Sequence, residues 1–192
     1  KAVQWKGVQN AQSEITKLQL LYKATQNASK PIHKKKKAVD ELQKSYPDFF
    51  KNLSEEEILT GKAADAYARL TSSIIASARA RAAQDKMTEN AKKILENNLS
   101  KLIVYGSYAR GDYKENSDID VMILTPFSKE EIEQVENKIF DLAFELELES
   151  GIVINPVLEN EEHYKYWLGA LPFFDNVEKE GIVIGWETKE FK

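Results

Sequence analysis

Apolar residues recur with a helical period through the first part of the chain. Ile15, Leu18, Leu21 and Tyr22 predict a helix over Ala11 to Gln26. Pro31 disfavours a helical Lys30 and so breaks the pattern. A second helix is expected from Pro31 past Val39 and Leu42, stopping near Tyr46-Pro47. Ser54-Glu55-Glu56-Glu57 has the form of a capping box, a hydroxyl at the start and a carboxylate three residues on. After Gly61 an alanine-rich run without proline or glycine predicts one long helix, or two end to end, reaching about Asn98. Residues 1–86 contain no convincing strand.

From Lys101 the period changes. Leu102 to Tyr105 is a short apolar run ending at glycine, as a buried strand would be, and Asp118 to Leu124 is a second, closed by Thr125-Pro126. Ser128 to Glu131 repeats the capping box, and Ile132, Val135, Ile139, Leu142 and Leu146 form one stripe of a helix that Gly151 ends. Ile152 to Leu158 predicts a third strand, with Pro156 pointing to an edge or a bulge. Short helices over His163 to Leu168 and Phe173 to Lys179 and a last strand at Gly181 to Ile184 complete the pattern. The expected fold class is α+β: a helical segment, residues 1–86, followed by a small α/β domain with a mixed sheet, residues 87–192.

Charge supports that division. Residues 1–86 carry 16 Lys+Arg against 9 Asp+Glu, and residues 87–192 carry 11 against 22, within a net charge of -4. The acidic half argues against binding along a nucleic-acid backbone there, and the basic half permits it without demanding it, so nucleic acid is not an expected partner. The lysine run Lys34 to Lys37 reads as a solvated helix face, and His33 beside it as a surface residue. No apolar run approaches membrane-spanning length, so no membrane association is expected. The chain has no cysteine, which removes disulfides and thiolate metal sites. With KAVQWKGVQN lacking the apolar core of a secretory signal, a cytoplasmic setting is expected.

The candidate chemistry lies in YGSYARGDYKENSDIDVMIL, residues 105–124. Alternate strand residues face one way, so Asp118 and Asp120 project together. Two carboxylates that close repel unless a cation sits between them. Magnesium suits such a pair, taking one or two carboxylates plus substrate phosphates. Gly106 permits close approach of a phosphate to the backbone, and the amides and hydroxyl of Ser107 could donate to it. Arg110 could neutralise the anion, or tie the loop down through an acid such as Asp112.

These residues resemble the nucleotidyltransferase signature of the DNA polymerase β-like superfamily, Gly-Ser-x-Ala-Arg-Gly followed by Ser-Asp-x-Asp. More narrowly, residues 87–185 resemble the small stand-alone minimal nucleotidyltransferases, which are often antitoxin partners of HEPN toxins. The resemblance implies transfer of a nucleoside monophosphate from ATP to an acceptor. It implies Gly106, Ser107, Arg110 and Ser117 as nucleotide-binding residues, and Asp118 and Asp120 as catalytic ligands of Mg2+. A protein acceptor, such as a HEPN-type toxin, is expected over a small one, since no dedicated acceptor domain is evident. The family's third carboxylate aligns with Asn155, an amide that is a poor magnesium ligand and no general base. A catalytically weak or inactive fold with a structural role is therefore the rival expectation.

The helical segment lacks the Arg-x(4–6)-His motif of a HEPN partner. SYPDFFKNLS and LTSSIIASARARAAQDK resemble a helical segment of phage tail tape-measure proteins, which implies a role in protein contacts, oligomerisation among them. His163 reads as a satisfied surface histidine, and Trp167, Phe173 and Phe174 as core rather than as a platform for adenine. Tyr105, Tyr108 and Tyr113 flank the loop as available hydroxyls.

Overall fold

The computed structural model describes residues 7–114 and 116–184, with side chains described from Ala11 onward. Contacts divide it into two compact units, the first ending at Ala78 and the second starting at Arg79.

The first unit is helical. Helix α1 spans Gly7–Gln26, α2 Ile32–Ser45, α3 Pro47–Phe50 and α4 Glu55–Leu59. The Ser54 box forms as expected, its hydroxyl accepting from the Glu57 N–H while the Glu57 carboxylate accepts from the Ser54 N–H. Helix α5, Ala64–Leu95, is one continuous helix that begins in this unit and ends in the next. A buried cluster of Leu18, Val39, Leu42, Phe50, Ile58, Leu70 and Ile74 holds the unit together. Lys34 and Lys37 are exposed on α2, and Lys36 pairs with Glu55 at 2.8 Å.

The second unit is built on four strands, β1 (Lys101–Tyr105), β2 (Ile119–Thr125), β3 (Ile154–Asn160) and β4 (Ile182–Val183). Their order is β3-β2-β1-β4, with β1 antiparallel to β2 and β4, and β2 parallel to β3. Pro156, which cannot donate to a ladder, lies on an edge strand as its chemistry requires. The helices of this unit are α6 (Gly106–Arg110), α7 (Lys129–Ser150), α8 (Glu161–Trp167) and α9 (Pro172–Glu180).

Side-chain alternation splits the sheet into two buried faces. Leu102, Val104, Ile119, Val121 and Ile123 pack with Ile139, Leu142, Ala143 and Leu146 of α7, and with the end of α5 from Ala80 to Leu95. Ile103, Met122 and Leu124 turn the other way, onto Tyr164, Phe174 and Val177 of α8 and α9. Helix α7 opens with the Ser128–Glu131 capping box and closes at Gly151 in the left-handed conformation. Among the described residues no helix is long and apolar enough to cross a membrane.

The turn from α9 into β4 is packed against the sheet at Gly181. A Cβ there would lie 2.3 Å from the Val177 carbonyl oxygen and 2.4 Å from Ile103 Cγ2. Gly181→Ala is therefore expected to push β4 off β1 and cost about 1–3 kcal/mol, read as a lower Tm in thermal denaturation.

Candidate active site

The register of the sheet sets three polar or amphipathic residues in one row. Tyr105 stands opposite Asp120, and Asp120 opposite Asn155, so all three side chains leave the same face at one height. That face is the one covered farther along by α8 and α9. Asp118 precedes β2 by one residue and is exposed, whereas Asp120 is half-buried. The Asn155 amide connects the pair: its Nδ2 donates to Asp118 Oδ2 at 2.5 Å and to Asp120 Oδ1 at 3.4 Å.

Gly106 makes this closeness feasible. Its φ is +71°, and a Cβ on it would fall 2.4 Å from Asp120 Oδ2. Only a residue without a side chain lets the β1–α6 turn sit against that carboxylate. From there α6 makes barely more than one turn and ends at Gly111, φ +78°, whose N–H donates to the Ser107 carbonyl at 2.9 Å. Ser107 is half-buried at the start of this turn. Ser117 shapes the loop that follows, its hydroxyl accepting from the Lys114 N–H at 2.8 Å.

Arg110 lies between two acids. Its Nε is 3.3 Å from Asp112 Oδ2 and its Nη1 is 3.1 Å from Glu180 Oε2, which ties α6 to the end of α9. The Asp112 contact was one of two readings open from sequence. The Glu180 contact spans 70 positions and left no local signal.

Electrostatics follow from burial and crowding. Burial raises the Asp120 pKa, the Asn155 hydrogen bond opposes the rise, and Asp118 adds to it. Tyr105 is pushed up to about 12 by burial and by the fields of Asp120 and Asp118. Tyr108 is pushed up to about 12 by burial, Tyr113 and Asp118, and its ring stacks on Tyr113 with centroids 4.4 Å apart. Both phenols thus stay protonated beside the acids.

The aromatic and histidine candidates separate. Phe174 is buried and Trp167 is partly buried in the α8–α9 core. Phe173 is 46% exposed and meets the Tyr105 ring edge-on at 5.7 Å, so it belongs to the rim of the site rather than to the core. His163 is engaged on both nitrogens, with Nδ1 3.0 Å from Glu159 Oε1 and Nε2 accepting from Trp167 Nε1 at 2.8 Å.

Among the described residues no cluster of three or more His, Cys, Asp or Glu side chains could hold a metal. Asp118 and Asp120 form a two-carboxylate set with an amide in third place. Hard oxygen donors in that number fit magnesium, which completes its shell with water and substrate phosphates. Chemically, the site offers a paired negative charge, a glycine turn set against it and an exposed aromatic ring at its rim.

The raised pKa also makes ionised Asp120 a cost to the fold. As pH rises, the unfolded chain releases this proton before the folded one, so stability falls between the ordinary aspartate value and the raised one. Asp120→Asn is expected to raise Tm at neutral pH in chelator-treated buffer, and to leave Tm unchanged below the carboxylate range. Thermal melts across pH check this.

A family model of the nucleotidyltransferase domain matches residues 87–180. Two proteins of Methanocaldococcus jannaschii, each provisionally named a protein adenylyltransferase, are 38% identical to this chain. One aligns over 86 residues, 45% of this chain and 78% of its own length. The other aligns over 94 residues, 47% of this chain and 84% of its own length. A crystal structure of a provisionally assigned nucleotidyltransferase from Sulfolobus solfataricus is 25% identical, with a TM-score of 0.30 over 58% of this chain and 90% of that one.

Proposed function

Through residues 87–180 the chain belongs to the nucleotidyltransferase domain family, and from that membership we propose a magnesium-dependent transfer of AMP from ATP to a protein hydroxyl. The observation that carries the proposal is the Asp118–Asp120 pair held beside Gly106. The naming of both archaeal relatives as protein adenylyltransferases favours a protein acceptor.

In this reading Asp118 and Asp120 hold the metal. Bound there with ATP, magnesium would supply charge neutralisation at the phosphates and polarise the α-phosphorus. Gly106 and the Ser107 amide and hydroxyl receive the triphosphate, and Ser117 holds the Lys114 N–H beside it. Arg110 sets the loop through Asp112 and Glu180, and its charge opposes part of the burial-driven rise in the Asp120 pKa. The exposed ring of Phe173, backed by Tyr105, gives the base an apolar surface. The acceptor oxygen bonds to the α-phosphorus, the α–β bridging bond breaks, and pyrophosphate leaves. The hydroxyl proton passes to solvent, because the Asn155 amide cannot accept it.

That last point supports a second reading, a nucleotide-binding protein with little turnover. The amide that bridges both carboxylates stands where a base would act. The helical residues 1–86 then contribute protein contacts rather than chemistry.

Calorimetric titration of ATP, with and without magnesium, tests the nucleotide site. Magnesium-dependent binding is expected for the intact chain, with its loss in the Asp118→Asn, Asp120→Asn double variant; unchanged affinity in that variant would sink the assignment. Asn155→Asp separates the two readings. Restoring a base is expected to raise AMP transfer on the order of 10²-fold, and no gain would favour the binding protein.

A further inference from the structure

We propose that the outward face of α7 is the docking surface for a positively charged amphipathic helix of the acceptor protein. The link to the acceptor rests on the protein-adenylylating reading above.

Helix α7 is apolar on two sides. Ile139, Leu142, Ala143 and Leu146 face the sheet and are buried. Phe140, Phe144 and Leu148 face outward and are 43%, 60% and 71% exposed. Their four-residue spacing lines them up as one ridge, about 12 Å from first to last at the helical rise. A soluble helix normally carries polar residues on that side, so three large apolar side chains in a row mark an interaction face.

The surroundings specify the occupant. On a helical projection Asp141 and Glu145 border the ridge on one side, and Glu136 and Glu147 on the other. The helix as a whole has eight acidic residues against two basic ones, Lys129 and Lys138. A narrow straight apolar ridge between acidic margins complements a helix whose own apolar row is bordered by lysine or arginine.

Position connects the ridge to the chemistry. Beyond Leu148 the chain turns at Gly151 and reaches Val153, which is 44% exposed. The Val153 carbonyl accepts the N–H of Ile119, the residue between the two aspartates, at 2.9 Å. Asn155 follows two residues later. A helix seated on the ridge is therefore anchored at the end of the sheet that carries the carboxylates, which a macromolecular acceptor needs and a small one does not.

The test uses the full chain and a fluorescein-labelled synthetic peptide of leucine and lysine at helical spacing, followed by anisotropy. A peptide with glutamate in place of lysine is the control. The Phe144→Lys, Leu148→Lys variant changes only exposed side chains, and ATP titration of the same samples reports on the nucleotide site. The leucine–lysine peptide is expected to bind, the control not to bind, and the variant to lose at least about tenfold in affinity with ATP binding unchanged. Equal binding by both peptides, or by variant and parent, overturns the proposal. So does a parent that sediments as a dimer and a variant that does not, since a second copy then covers the ridge. Peptide docking by a chain that never binds ATP keeps the surface and overturns its link to adenylylation.

Discussion

The contact between a bare backbone and a half-buried charge governs the C-terminal unit. Gly106 and Asp120 stand so close that no side chain fits between them, and that proximity holds only while Tyr105, Asp120 and Asn155 keep one register across three strands. A slip of one residue would turn Asp120 into the α5–α7 core and bring Ile119 to the site. The rest of β2 is apolar on both faces of the sheet, so it is the cost of burying the Asp120 carboxylate that forbids this slip. Stability and chemistry thus share a single specification, the phase of β2.

Asn155 works within that frame as a neutral spacer. Two neighbouring aspartates repel, and an amide donor shared between them offsets part of the repulsion. A carboxylate in its place would add a third negative charge to the pair and deepen their mutual repulsion. The amide that donates to both carboxylates therefore also relieves the fold.

Much of this was legible in the sequence, for definable reasons. Capping boxes at Ser54 and Ser128 are local, and both helix starts follow from them. The strands were readable as short apolar runs closed by glycine or proline, and the placement of Pro156 on an edge follows from its missing N–H. Helix α1 extends back to Gly7, before the first periodic apolar residue, because a helix propagates beyond the stripe that anchors it. Long-range pairings were not legible. Arg110 meets Glu180, and Phe173 meets Tyr105, through a fold that brings α9 back over the sheet. Phe173 and Phe174 are adjacent and chemically identical, and only the orientation of α9 sends one to the rim and the other to the core.

The proline in β3 has a consequence for how the unit meets other proteins. An exposed sheet edge invites another strand to extend it, and Pro156 removes a donor from that edge. Recognition by strand addition along β3 is thereby discouraged, as is the uncontrolled pairing that leads to aggregation. What this side of the unit leaves available to a partner is side-chain chemistry on helices, where selectivity is set by shape and charge rather than by the uniform backbone.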